Sequence, residues 1–343
     1  MRALFIGFGN VGRTIARILT LERSRFPGMS PLDDLVPVAI VTRRGGSLVD
    51  TKGIDLGLAL EEMDSRGRFP EGHPGYTDIT GVEAAGSLDY DVIVELSTLS
   101  IENRGEPAAT HIRTALSRGR NAISANKGPI AFSYRELSSL AKSVGKKFLF
   151  ETTVMDGAPV FNLRESCLKG CVVTAVDGIL NSTTNYILSR MEEGVGFAEA
   201  VKEAQDMGVA EADPGNDVDG WDASAKISAL ANVLLDADMT PLDVDRHGIA
   251  GVTPADIRKA AESGKKLKLV CKAWKEKGKV FGKVGVEEIS HSHHFSLVSG
   301  GGAVLRIHTD LMGPILITQE NPDLYDTAYG VLGDLITLRQ LCY

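Results

Sequence analysis

A Rossmann-like, doubly wound parallel α/β sheet followed by a second α+β domain is the architecture this sequence predicts, on three observations. The chain opens on a short apolar strand that runs straight into a glycine-rich turn and an amphipathic helix. Apolar strands then alternate with helical stretches to about residue 150, as in a parallel sheet covered on both faces. Between residues 269 and 318, apolar and β-branched runs follow one another, which suits a mixed sheet that also pairs subunits. A length of 343 residues favours two cores over one. Residues 1–150 are expected to form a dinucleotide-binding domain, completed by about 320–343, and residues 151–319 a catalytic and dimerisation domain.

The first strand is Arg2 to Ile6, followed by Gly7-Phe8-Gly9-Asn10-Val11-Gly12 and a helix marked by Val11, Ile15, Ile18 and Leu19. In this strand–turn–helix order the glycine pattern reads as a dinucleotide fingerprint. Gly7 permits the tight turn, Gly9 lets the backbone approach a pyrophosphate, and Gly12 lets helix pack on strand. The helix N-terminus offers free N–H groups to the phosphates. The second strand, Pro37 to Val41, ends in Thr42-Arg43-Arg44, where NAD sites usually place an acid for the ribose. Two guanidiniums suit a 2′-phosphate instead, so NADP(H) is favoured and NAD(H) stays open. Residues 45–86 read as a helix carrying Leu56, Leu60 and Met63, then a loop rich in Gly and Pro. Asp91 to Leu96 is a buried parallel strand whose end, Ser97-Thr98, falls where such folds hold a cofactor. A helix from His111 to Ser117 leads to the strand Asn121 to Ser124, and Lys127 follows it at the same end of the sheet.

The strand Lys147 to Phe150 precedes Glu151-Thr152-Thr153-Val154-Met155-Asp156-Gly157-Ala158-Pro159. The strand-like run Val172 to Leu180 leads into Asn181-Ser182-Thr183-Thr184-Asn185, a helix through Met191 and another from Phe197 to Met207. Then comes a loop dense in acids: Glu211, Asp213, Asp217, Asp219 and Asp222. Pro214, Gly215 and Gly220 delay a continuous helix to about Trp221. Asp222 and Lys226 then share one helical face, giving a lysine a fixed acidic neighbour with further carboxylates to grip a cation. The plainer reading of the same residues is a solvated loop with a surface ion pair. Three further features read as ordinary structure. His291 to His294 is a polar connection between strand-like runs at 279–286 and 295–298, the lysines of 259–279 form a solvated face, and Cys167 and Cys171 form a buried thiol pair on one helical face. The net charge of −8 argues against nucleic acid and anionic membrane as partners, and no apolar run reaches membrane length. Four cysteines without a CxxC pair suggest reduced thiols in a cytoplasmic protein.

Together, GFGNVG, SANK, ETTVMDGAP, GILNSTTNYIL, AEADPGNDVDGWDASAK and the closing DTAYGVLGDL resemble the homoserine dehydrogenase family over most of the chain. That resemblance implies the reaction L-homoserine + NAD(P)⁺ ⇌ L-aspartate 4-semialdehyde + NAD(P)H + H⁺ in a homodimer. It implies that Lys226 is the catalytic lysine and Lys127 a second one, with Asp222 beside the first. Glu211 and Asp217 would surround the substrate, and Thr183 would lie in the loop that contacts it. A monovalent cation, Na⁺ or K⁺, would sit on Glu151 and the backbone of Val154, Asp156 and Ala158. The chain departs from the family at Glu320 to Tyr325, where relatives carry a glycine-rich turn, so a cofactor contact there is not carried over. It ends at Tyr343, and no fused kinase or amino-acid-sensing domain is expected. Two other readings stay open: another amino-acid oxidoreductase of this fold, such as an aspartate or diaminopimelate dehydrogenase, or a silent NADP-binding sensor. Keeping two lysines speaks against the sensor.

Overall fold

The structure is a computed structural model that describes residues 1–208, 210 and 213–342. It divides into two compact units, Met1–Pro159 with Asp323–Tyr343, and Val160–Pro322. Unit 1 begins with β1 (Arg2–Ile6), α1 (Asn10–Leu19), β2 (Val36–Val41), β3 (Ser47–Val49), α2 (Leu56–Arg66), β4 (Tyr76–Thr77) and α3 (Gly81–Ser87). It continues with β5 (Val92–Glu95), α4 (Ala108–Ser117), β6 (Asn121–Ser124), α5 (Gly128–Ser143), β7 (Phe148–Leu149) and α6 (Thr152–Met155). The strands form one seven-stranded sheet in the order β4-β3-β2-β1-β5-β6-β7. From β2 to β7 all neighbours are parallel, because each connection carries helix across a face. The doubly wound order reverses between β1 and β5, which makes their carboxyl ends the switch point.

Residues 45–86 hold more than the helix and loop expected of them. β3 turns back antiparallel on β2, and β4 on β3. These strands are two or three residues long, too short for a period of two to show in the sequence. The unit 1 core packs Phe5, Ile15, Ile40, Leu60, Phe69 and Val94 between sheet and helices.

Unit 2 contains α7 (Phe161–Cys167), β8 (Val173–Ile179), α8 (Ser182–Glu192), α9 (Phe197–Asp206), α10 (Gly215–Val218) and α11 (Trp221–Leu234). After these come β9 (Asp245–Arg246), α12 (Pro254–Glu262), β10 (Lys265–Glu276), β11 (Lys279–Ser290), β12 (Ala303–Thr309) and β13 (Ile315–Gln319). Its six strands order as β13-β12-β8-β10-β11-β9, antiparallel except for the short β11–β9 pair. The chain then returns to unit 1 as α13 (Leu324–Cys342), which packs against α1 and α6 and adds Ala328, Val331, Leu332, Leu335 and Leu338 to that core. Among the described residues no helix is long and apolar enough to cross a membrane.

Three expectations need correction. Phe295 to Val298 is not a strand: His294–Leu297 is a 3₁₀ turn in which His293 Nδ1 accepts the Phe295 N–H. Phe295 and Val298 instead plug a small core with Ile179, Val270 and Val304, so their apolar character reflects burial and not strand pairing. Cys167 closes α7 and is exposed, while Cys171 lies beyond the helix end, so the two share no helical face and form no buried pair. Lys268 is fully buried, not solvated, because β10 is covered on both faces. Its ammonium donates to Asn185 Oδ1 at 3.0 Å and stands 3.8 Å from Glu192.

Candidate active-site residues

In unit 1 the glycine-rich turn does what its spacing requires. Gly7 has φ +98° and donates its N–H to the Val41 carbonyl at 2.8 Å, bending the chain out of β1. A Cβ on Gly12 would lie 3.2 Å from both the Gly7 carbonyl and the Phe8 ring, so glycine permits the close packing there. A Cβ on Gly9 would meet nothing within 4 Å, which leaves open space over the start of α1 for a phosphate. Phe8 is buried against Phe69, with ring centroids 6.1 Å apart. Asn10 opens α1, where its side chain accepts from Arg13 at 2.8 Å, and Val11 is half-buried.

At the end of β2, Thr42 Oγ1 donates to the Gly46 carbonyl and accepts from the Gly45 N–H, at 2.7 and 2.8 Å. This closes a tight turn that presents Arg43 and Arg44, both exposed. Ser97 and Thr98 follow β5 at the switch point. Lys127 sits half-buried at the N-cap of α5. Glu151 is buried just before α6, where its N–H donates to Asp334 Oδ2 of α13 at 2.9 Å. Burial, with the Glu151 charge adding to it, pushes the Asp334 carboxyl up to about 8. Val154 is buried within α6, Asp156 follows it at φ +47°, and Ala158 donates its N–H to the Met155 carbonyl.

Unit 2 brings Asp217, Asp222 and Lys226 together. Gly220, at φ +81°, separates α10 from α11 and lets the chain turn sharply. Arg246 holds this corner, with its guanidinium 3.7 Å from the Trp221 ring centroid and a hydrogen bond to the Asp219 carbonyl. One turn into α11, Lys226 Nζ donates to the Leu180 carbonyl at 2.7 Å and lies 3.6 Å from Asp222 Oδ2. Both side chains are about one-sixth exposed (17% and 15%), which rules out the solvated surface pair of the plainer reading.

Asn181, whose role no motif in the sequence announces, joins the parts. Its Nδ2 donates to Asp217 Oδ1 at 2.6 Å and to Asp222 Oδ2 at 3.0 Å, while its Oδ1 caps α8 through the Thr184 N–H. An asparagine directly before Ser-Thr-Thr at a strand end is an N-cap signal, the one local trace of this role. Buried Thr183 also hydrogen-bonds Asp217. Burial and then the neighbouring Asp222 charge raise the Asp217 carboxyl above its usual range, against the pull of Asn181 and Lys226. Beneath Lys226, burial pushes the Cys271 thiol up to about 12, so it is inert filler. Glu211 lies outside the described residues.

Two acids that repel each other, bridged by an amide and faced by a lysine, suit a ligand bearing both an ammonium and an oxygen to be protonated or deprotonated. Residues 159–336 match the family model for homoserine dehydrogenase, and residues 7–151 match its NAD-binding domain. An NAD(+)-dependent homoserine dehydrogenase of Pseudomonas canavaninivorans is 34% identical over 336 residues, 98% of this chain and 95% of that protein. The homoserine dehydrogenase of Sulfurisphaera tokodaii is 36% identical over 342 residues, 100% of both chains. A solved hyperthermophilic archaeal homoserine dehydrogenase in complex with NADPH superimposes with a TM-score of 0.81 at 29% identity, covering 100% of this chain and 98% of that one. With matching family models on both units and relatives aligned end to end, this chain belongs to the homoserine dehydrogenase family.

Proposed function

We propose that this protein catalyses the reversible NAD(P)-dependent oxidation of L-homoserine to L-aspartate 4-semialdehyde, the activity by which its relatives are named. The observation that carries the reading is the Asp217–Asn181–Asp222 bridge beside Lys226. Asp217, together with Glu211 of the same acidic stretch of sequence, binds the substrate ammonium. A cation against a raised carboxyl restores its charge, so substrate and Asp217 strengthen each other. Lys226 and Lys127 serve the substrate carboxylate and the reacting oxygen, and one of them moves the proton. Asp222, held by Asn181, fixes where Lys226 points. A bound nicotinamide supplies the hydride acceptor.

Gly7, Phe8, Gly9, Asn10, Val11 and Gly12 would cradle that cofactor's phosphates, with Ser97, Thr98 and Lys127 farther along it. Arg43 and Arg44 favour NADP(H) over NAD(H) through the 2′-phosphate, although relatives of both kinds are named. Glu151 with the Val154, Asp156 and Ala158 carbonyls would hold Na⁺ or K⁺. Two carboxyls buried together, with Asp334 driven toward its neutral form, are a donor set that a cation relieves. A homodimer is the proposed assembly.

The test follows nicotinamide absorbance with homoserine and each cofactor, in wild type and Lys226→Ala. Turnover of homoserine by the wild type, with a loss of roughly 10²–10⁴-fold in the variant and near-normal cofactor binding, is expected. Undiminished kcat in the variant would sink the assignment of Lys226, and no wild-type turnover would sink the substrate.

A further inference from the structure

At the switch point of the unit 1 sheet, buried polar side chains outside the proposed chemistry tie together the turns assigned to the cofactor. Glu95, the last residue of β5, is fully buried. Its Oε1 accepts the Ser97 N–H at 2.8 Å, and its Oε2 pairs with His111 Nδ1 of α4 at 2.6 Å. A Cβ on Gly81 would lie 2.5 Å from His111 Nε2, so glycine there makes room for the imidazole. From the other side, buried Asn126 donates through Nδ2 to Ser97 Oγ at 3.4 Å and to the Thr98 carbonyl at 3.3 Å. Its Oδ1 accepts the Gly128 N–H at 2.9 Å, where α5 begins next to Lys127. Gly7 backs onto the same segment: a Cβ there would lie 2.8 Å from the Leu96 carbonyl carbon and 3.1 Å from the Ser97 nitrogen.

A carboxylate buried in a parallel sheet is expensive, and an apolar residue in its place is often no less stable. Glu95 does what an apolar side chain cannot: it fixes a backbone N–H just beyond a strand end, where folds of this class bind their cofactor. We propose that Glu95 and Asn126, with His111 orienting the carboxylate, are positioning residues that pre-set the Ser97–Thr98 turn for the nicotinamide cofactor. The inference rests on reading Ser97 and Thr98 as cofactor contacts. A turn ordered before binding spares the ligand the cost of ordering it, so the effect appears in cofactor affinity.

The experiment measures Kd for NADPH by fluorescence in Glu95→Gln and Glu95→Leu, without homoserine. Glutamine keeps an oxygen for the Ser97 N–H and turns its NH₂ to His111, whose tautomer can change to accept it. Leucine offers no acceptor. Glu95→Leu should bind NADPH on the order of tenfold more weakly, with Glu95→Gln within about twofold of wild type. Wild-type affinity in Glu95→Leu overturns the proposal, as does a Glu95→Gln defect equal to that of leucine. If Glu95→Leu does not fold, Asn126→Ala decides: about tenfold weaker binding supports the proposal, and unchanged binding overturns it. Because the readout is cofactor affinity alone, failure of the homoserine assay leaves this result standing, and the reverse holds too.

Discussion

Asp217 shows at the scale of one residue how a group proposed to bind substrate opposes the fold that carries it. Its carboxyl is raised above the usual 3.8 by burial first and by Asp222 second. A carboxyl whose folded value exceeds its unfolded one stabilises the protein while protonated. That contribution is lost as pH rises from the unfolded value through the folded one. At neutral pH Asp217 is therefore a liability in the absence of substrate. Asp217→Asn keeps an oxygen for Asn181 and removes the penalty. Thermal melts at pH 7 should show Tm higher by about a few degrees. The same variant should raise KM for homoserine about tenfold or more, with a smaller effect on kcat. A lowered Tm with an unchanged KM would show that Asp217 is a structural acid.

Among the elements, the β2–β3 turn and strand β10 carry separate predictions. Thr42 locks the turn from below and leaves Arg43 and Arg44 on its exposed side. Charge-assisted hydrogen bonds contribute about 1.5–3 kcal/mol each. Arg43→Ala/Arg44→Ala should therefore weaken NADPH by roughly tenfold or more and leave NADH nearly unchanged. Calorimetry with both cofactors checks this, and a wild type without preference would make the arginines bystanders. In β10, burial lowers the Lys268 ammonium from 10.5 to about 8, with Glu192 opposing and Lys266 assisting. Between those values the unfolded chain holds more protons, so the contribution of this site to stability rises with pH from about 8 to 10.5. Lys268→Met lacks that rise. Its Tm advantage or deficit relative to wild type should thus shift downward as pH climbs across the window, whatever its value at pH 7. A constant difference would mean that the ammonium titrates normally.

What could be read from the sequence divides along physical lines at this scale. The β1–turn–α1 unit was legible because glycine spacing and helical periodicity are local and strong. Asp222 and Lys226 were legible because four residues make one helical turn. The burial of Lys268 is not legible locally, because exposure on a strand depends on what covers each face, which residues far along the chain decide. The roles of Asn181 and Glu95 are hidden for a related reason. Each works by joining segments distant in sequence, Asn181 to residues 36 and 41 positions away and Glu95 to His111, 16 away. No spacing rule relates such positions.

For the molecule as a whole, chain order matters because unit 2 is inserted between the two segments of unit 1. Helix α13 supplies five residues to the unit 1 core and also the Asp334 carboxyl that receives the Glu151 N–H. Unit 1 is thus incomplete until roughly the last twentieth of the chain is in place, although the turns proposed to hold the cofactor lie in the first third. Stability and cofactor affinity in this unit should separate on mutation. Leu335 is fully buried in that core, and truncation of such a side chain costs roughly 2–5 kcal/mol. Leu335→Ala should lower Tm of the cofactor-free protein by about 5–15 °C. The rise in Tm on adding NADPH depends on Kd and ligand concentration, not on the core, so it should stay close to that of wild type. Glu95→Leu should behave in the opposite way, with a reduced NADPH-induced rise at equal ligand concentration. Melting curves for the two variants, with and without NADPH, make the comparison. An equal loss of the NADPH-induced rise in both would mean that α13 and the switch-point turns act as one element, and that the buried polar residues have no positioning role of their own.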